Sequence, residues 1–158
     1  QSDENLLDIA SYEEAFVQSP VQTQEMCWRD TDGRLVGVGI VDVLSQSISS
    51  VYYYWDPAYR DYHLGTLSIL QEIEMTREMG KSMYYMGFMI KSCGKMAYKT
   101  QFEGAEVWCG EDWRPLPGRN IQTPEVLDLL HEAEKGAVKT DDSHFPIHRA
   151  VRIFSQRG

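Results

Sequence analysis

Three groups of residues in this chain of 158 have types and spacings that could do chemistry. Lys91, Lys95 and Lys99 recur every fourth position with no acid between Phe88 and Phe102, so on a helix they would share one face. Tyrosines cluster twice, as Tyr52-Tyr53-Tyr54-Trp55-Asp56 and as Tyr84-Tyr85-Met86-Gly87. Their hydroxyls can donate to a substrate, although a tyrosine stripe is more often half-buried core than catalytic. Leu64-Gly65-Thr66 opens a helix, where free N–H groups and the positive end of the dipole suit a phosphate. A single glycine there is equally explained by close packing, and Asp56 before Pro57 suits a turn.

Other chemistries lack their partners. Ser92 and Cys93 have no histidine near them in sequence, and His63, His131, His144 and His148 are scattered. Cys93 lies between Lys91 and Lys95, a setting that lowers a thiol pKa, yet it reads more simply as an inert buried cysteine. His144 and His148 are four apart without a third ligand, so no metal is expected. Cys27, Cys93 and Cys109 are odd in number and form no CxxC, which argues against a disulfide framework or a zinc site and points to a reducing compartment. The net charge of −9 disfavours nucleic acid. Its distribution qualifies that: the lysine segment and a tail with Arg149, Arg152 and Arg157 but no acid are locally basic. The plain account of both is a solvated face.

Those residues need elements to hold them. With 42% hydrophobic and 25% charged residues, the chain suits one soluble domain spanning 1–158. No apolar run approaches the roughly 20 residues that cross a bilayer. Gln1 is not an initiator and no signal peptide follows it, so the chain reads as a fragment or a processed product. A helix is expected over 11–17, capped by Ser11. Strands follow at 23–30, 34–44 and 48–55, with a turn at Asp32-Gly33, making an antiparallel meander. Gly37 and Gly39 signal close packing or a bulge. After a loop at 58–63, a helix over 66–79 carries Ile69, Leu70 and Ile73 on its apolar stripe, with Ser68, Gln71, Glu72 and Glu78 outside it, and ends at Gly80. The uncharged run 82–90 is then a strand, parallel to 48–55 through a βαβ crossover. A short helix over 92–102, a strand at 106–109, a loop at 111–118 and a helix opened by Thr123-Pro124 complete the pattern. Phe145, Ile147, Val151, Ile153 and Phe154 are expected to dock back.

Four stretches together resemble a known family: 50–57 (Ser-Val-Tyr-Tyr-Tyr-Trp-Asp-Pro), Leu64-Gly65-Thr66, Tyr84-Tyr85-Met86-Gly87-Phe88, and Ser92-Cys93-x-Lys95-Met96-x-Tyr98-Lys99. They look like the C-terminal domain of the arginyl-tRNA–protein transferases, and the bacterial leucyltransferases are similar. The likeness covers about residues 11 to 115, and the Lys-Met-x-Tyr-Lys order is its most specific part. It implies a GNAT-like α/β (α+β) fold, with a mixed, mainly antiparallel sheet, a parallel βαβ crossover and flanking helices. It also implies attack of the α-amine of an N-terminal Asp or Glu on the ester of arginyl-tRNA, in the cytoplasm and also the nucleus. Because the ester is already activated, no covalent enzyme intermediate is needed, which fits the missing triad.

On that resemblance Asp56, Tyr84, Tyr85 and Tyr98 are the candidate catalytic residues. Asp56 would bind arginine or the amine, and the tyrosines would hydrogen-bond near the ester or stack on the terminal base. Tyr53, Gly65, Thr66, Gly87, Lys91, Ser92, Lys95, Met96 and Lys99 would bind substrate and tRNA, the lysines on acceptor-stem phosphates. No cofactor or metal is expected in this chain; the family's iron–sulphur or zinc site belongs to an upstream cysteine-rich domain. Gly94 departs from the pattern, where proline is usual. Four competing readings remain, one of them a stand-alone aminoacyl-tRNA-dependent transferase with another amine acceptor. The donor could be leucine. The chain could be a coenzyme A-dependent acyltransferase, although His63 stands where that loop wants its first glycine. It could also be an interaction module without activity.

Overall fold

The computed structural model describes residues 9–89, 94–116, 128–129 and 150–154. Their strands form one seven-stranded sheet in the order β1-β2-β3-β4-β7-β5-β6. β1 (Gln22–Arg29), β2 (Leu35–Val43) and β3 (Ser47–Trp55) make the expected antiparallel meander. Gly33 supplies the left-handed turn between the first two, with φ of +82°. α2 (Leu64–Glu78) crosses from β3 to β4 (Met83–Phe88), and the two strands pair in parallel. Gly80, at φ +65°, ends the helix as its spacing predicts. No helix among the described residues is long and apolar enough to cross a membrane.

The pairing of β3 with β4 lasts only from Ser47↔Met83 to Ser49↔Tyr85. Each strand then carries one extra residue against its other neighbour. Val51 is the extra residue where Ser50 and Tyr52 face Val41 and Ile40, and Met86 is the extra one where Tyr85 and Gly87 face Arg152 and Val151. A bulge bends its strand and increases its twist. Two bulges at one level, on the outer sides of two parallel neighbours, drive the strands apart. Residues 50–55 of β3 and 86–88 of β4 therefore flank a gap, with α2 beginning beside it.

Several expectations need correction. On α2, Leu70 is exposed, while Ser68, Glu72 and Thr76 are buried beside Ile69 and Ile73. The buried stripe is i, i+3, i+4, i+7 from Ile69, and that geometry admits polar residues when they find partners. The stretch 58–63 is not an open loop: Pro57–Tyr62 is a 3₁₀ helix capped by Asp56. Within the expected loop 111–118, Trp113–Pro115 forms β6 against β5 (Ala105–Trp108). The tail does more than dock, because Ala150–Phe154 is β7, inserted between β4 and β5. At the N-terminus, α1 (Ile9–Tyr12) runs into a π-turn, Glu13–Val17, so Ser11 lies inside the helical segment and is not its cap. The helix opened by Thr123 falls largely outside the described residues, as do Ile90, Lys91, Ser92 and Cys93.

The lysine segment also differs. Gly94–Gln101 is a 3₁₀ helix, not an α-helix. With about three residues per turn, positions four apart no longer share a face.

Candidate functional site

The gap is built from four elements. Tyr53 comes from β3, Met86, Gly87 and Phe88 from β4, Gly65 and Thr66 from the start of α2, and Tyr98 and Lys99 from the 3₁₀ helix. Lys99 is turned inward. Its Nζ donates to the Met86 carbonyl at 2.7 Å and to the Phe88 carbonyl at 2.8 Å, both on the stretch of β4 that β3 has left. An ammonium has three N–H donors, so among the described residues one is left for a ligand. Burial pushes the Lys99 pKa down to about 8, against the opposing pull of Glu72.

Glycine is required at the root of the gap. Gly87 has φ of +76°, and a Cβ there would lie 3.0 Å from the Ser50 carbonyl oxygen. Gly65 is a matter of contact: a Cβ would lie 3.3 Å from the Tyr98 hydroxyl. The helix behind it starts from His63, which has left-handed φ and ψ and accepts from the N–H groups of Thr66 and Leu67. Of the first-turn N–H groups, which lack a partner one turn back, those of Thr66 and Leu67 are thus taken by the His63 carbonyl.

Beneath the gap lies a polar cluster that sequence reasoning missed. Glu72 is fully buried. One carboxylate oxygen accepts from the Ser68 hydroxyl, and the other accepts from the Tyr84 hydroxyl at 2.6 Å. Burial raises the Glu72 pKa, while hydrogen bonds from Ser68, Tyr84 and Ser50 and the charge of Lys99 favour the ionised form. Burial, then the Glu72 charge, raises Tyr98 and pushes Tyr53 up to about 12. Gly39 makes room for this group, since a Cβ there would lie 3.0 Å from the Trp28 ring and 3.4 Å from a Glu72 oxygen. The Tyr53 hydroxyl, which would lie 2.9 Å from a Cβ on Gly37, is buried and has no hydrogen-bond partner among the described residues. A sequence signal for Glu72 existed: it follows Ile69 by three, and Ser68 precedes it by four.

The candidate residues separate into groups. Tyr53, Gly65, Gly87, Tyr98 and Lys99 are brought together, with Thr66 half-buried on the same helix turn. Tyr84 lies below them, fully buried and engaged with Glu72. Tyr85 points to the opposite face of the sheet, where its ring meets Trp113 at 5.8 Å. Tyr84 and Tyr85 therefore cannot serve one ester together. Both oxygens of Asp56 are engaged: one caps Ala58 N–H at 2.9 Å, and the other pairs with Arg34 at 2.6 Å. It reads as a turn-holding residue. Met96 packs against the core. Among the described residues, no three His, Cys, Asp or Glu side chains are grouped to hold a metal ion.

Comparison with known proteins agrees with this architecture. Residues 1–109 match the family described as "Arginine-tRNA-protein transferase, C terminus". The chain is similar to an arginyl-tRNA–protein transferase 1 of Dictyostelium discoideum, 41% identical over 88 residues, which is 52% of this chain and 14% of that protein. It is similar to an aspartate/glutamate leucyltransferase of Ruegeria sp. strain TM1040, 34% identical over 120 residues, covering 75% of this chain and 44% of that protein. The chain thus spans less than half the length of these two relatives. Among solved structures it resembles an acetyltransferase of the GNAT family from Staphylococcus aureus, with a TM-score of 0.52 and 16% identity, covering 94% of this chain and 77% of that one. At that identity the likeness concerns the fold alone.

Proposed function

This chain belongs to the arginine-tRNA–protein transferase family, as its C-terminal region, and from that premise we propose that it transfers arginine from arginyl-tRNA to the α-amine of proteins beginning with Asp or Glu. The product would be marked for degradation through the N-degron route and ubiquitin conjugation, in the cytoplasm and also the nucleus. One observation carries the proposal: the strand gap gathers the Lys99 ammonium, with one N–H uncommitted among the described residues, the Tyr98 hydroxyl and the start of α2 at one place.

In this proposal the amine nitrogen attacks the ester carbonyl carbon. The C–O bond to the ribose breaks, an amide forms, and the amine proton ends on the ribose hydroxyl. Lys99, Tyr98 and the unpartnered Tyr53 hydroxyl are the donors for the oxyanion. The first turn of α2, with Gly65 and Thr66, meets the terminal phosphates. Lys91 and Lys95, with Ser92, are assigned to the acceptor stem, a contact that weakens with salt.

Leucine is the alternative donor, favoured by the leucyltransferase likeness that reaches across 75% of this chain. The test is transfer of labelled arginine and of labelled leucine from charged tRNA to a peptide beginning with Asp. It is run with this chain alone and joined behind the upstream region of a family member. Arginine incorporation is expected. Incorporation of leucine alone would replace the donor, and binding of acetyl-CoA without either transfer would overturn the reading.

A further inference from the structure

Glu72 is a charged side chain sealed under the gap, and the proposed reaction gives it no task. Burying a carboxylate is costly, and an apolar residue of similar size is commonly as stable or more so in such a place. Here one oxygen accepts from Ser68 on its own helix and the other from Tyr84 on β4, and Ser50 on β3 adds a third hydroxyl. That arrangement suits the ionised form. The groups facing it are Tyr53 from β3, Tyr84 from β4, and Tyr98 and Lys99 from the 3₁₀ helix. Among the described residues, the charge acting on Lys99 is that of Glu72.

We propose that Glu72 is a positioning residue for the transfer: through Tyr84 it ties α2 to β4, the strand whose Met86 and Phe88 carbonyls seat the Lys99 amine, and so presents the third N–H of Lys99 to the ester. This rests on the aminoacyl-transfer reading of the gap. The role is exerted through Lys99, since Glu72 has no surface from which to touch a substrate. It also explains why Gly39 is bare, because a side chain there would crowd both Trp28 and Glu72.

The experiment replaces Glu72→Gln in the transfer-competent protein and reads three quantities. The first is kcat against KM for charged tRNA. The second is the pH dependence of Lys99 acylation by a small amine-reactive ester, followed by mass spectrometry. The third is Tm. The expected result is a kcat lower by about tenfold or more with KM within about twofold, as for a loss felt in the transition state. Lys99 should become reactive at lower pH, and Tm should be unchanged or higher. A purely structural role predicts the reverse, a lower Tm with Lys99 titration unmoved, and would overturn the proposal. Should Glu72→Gln not fold, Tyr84→Phe removes one of the donors that favour the ionised form of Glu72 and so weakens its charge. It should shift Lys99 the same way by less, and no shift there overturns the proposal too. If the unaltered protein transfers no amino acid, the transfer reading fails, while the acylation profiles still decide whether Glu72 governs Lys99.

Discussion

The two halves of the β3–β4 pair behave as different materials. In the paired half, three rungs from Ser47↔Met83 to Ser49↔Tyr85 close the ladder, and Ile48 and Tyr84 are fully buried side by side. In the parted half, the Met86 and Phe88 carbonyls have lost β3 and are answered by a lysine ammonium instead. Buried backbone groups must find some partner. The fold supplies one that is charged, so loss of a ladder becomes gain of a site. The difference arises from one bulge on each strand and one glycine with positive φ, not from a change in composition.

Gly87→Ala is the most severe way to break this contrast. Its φ of +76° and the 3.0 Å approach to the Ser50 carbonyl leave no place for a Cβ. A cost of about 1–3 kcal/mol is expected from backbone strain. Denaturant unfolding measures that cost, and transfer activity should fall with it. An unchanged midpoint would mean the bulge can be remade without glycine.

Lys99→Met should rank next. Losing one oxyanion donor costs on the order of 100-fold in kcat, which single-turnover transfer would detect. This variant also has a signature in stability against pH. The unfolded chain holds the Lys99 proton to its ordinary value near 10.5, whereas the folded protein releases it near 8. Between those values the unfolded state binds more protons, so the contribution of Lys99 to stability rises with pH across that window, and its cost is complete below it. Lys99→Met should flatten that rise, as measured by chemical denaturation at several pH values.

Tyr85→Phe is expected to do least. The residue sits on the face away from α2, against Trp113. The ring and its contact are kept, so kcat should stay within about twofold. A loss comparable to that of Lys99→Met would move the site to the other face.

Much of this was legible before any coordinates. The meander, the crossover and the ends of α2 follow from periodicity and punctuation, because the burial of one face imposes a period of two or 3.6. Gly65, Tyr98 and Lys99, which the sequence motif singled out, stand at one mouth. Other parts were not legible. Glu72 looks like a surface residue to any rule that sorts by polarity, and its burial depends on Ser68, Tyr84 and the bare Gly39, which lie on three different elements. The short β6 and the insertion of β7 depend on edges left open by other strands, which local propensity does not encode.

The sequence by itself determined the three strands of the meander, α2 and β4, where they turn, and that strand, helix and strand would cross over in parallel. Only the tertiary structure decided that two bulges fall at the same level, that a lysine four residues beyond its neighbour turns inward, and that a glutamate goes beneath it. The physical reason is range. Period and turn chemistry act over a few residues, whereas the partner of a buried charge or an unpaired carbonyl is set by whatever the rest of the chain brings alongside.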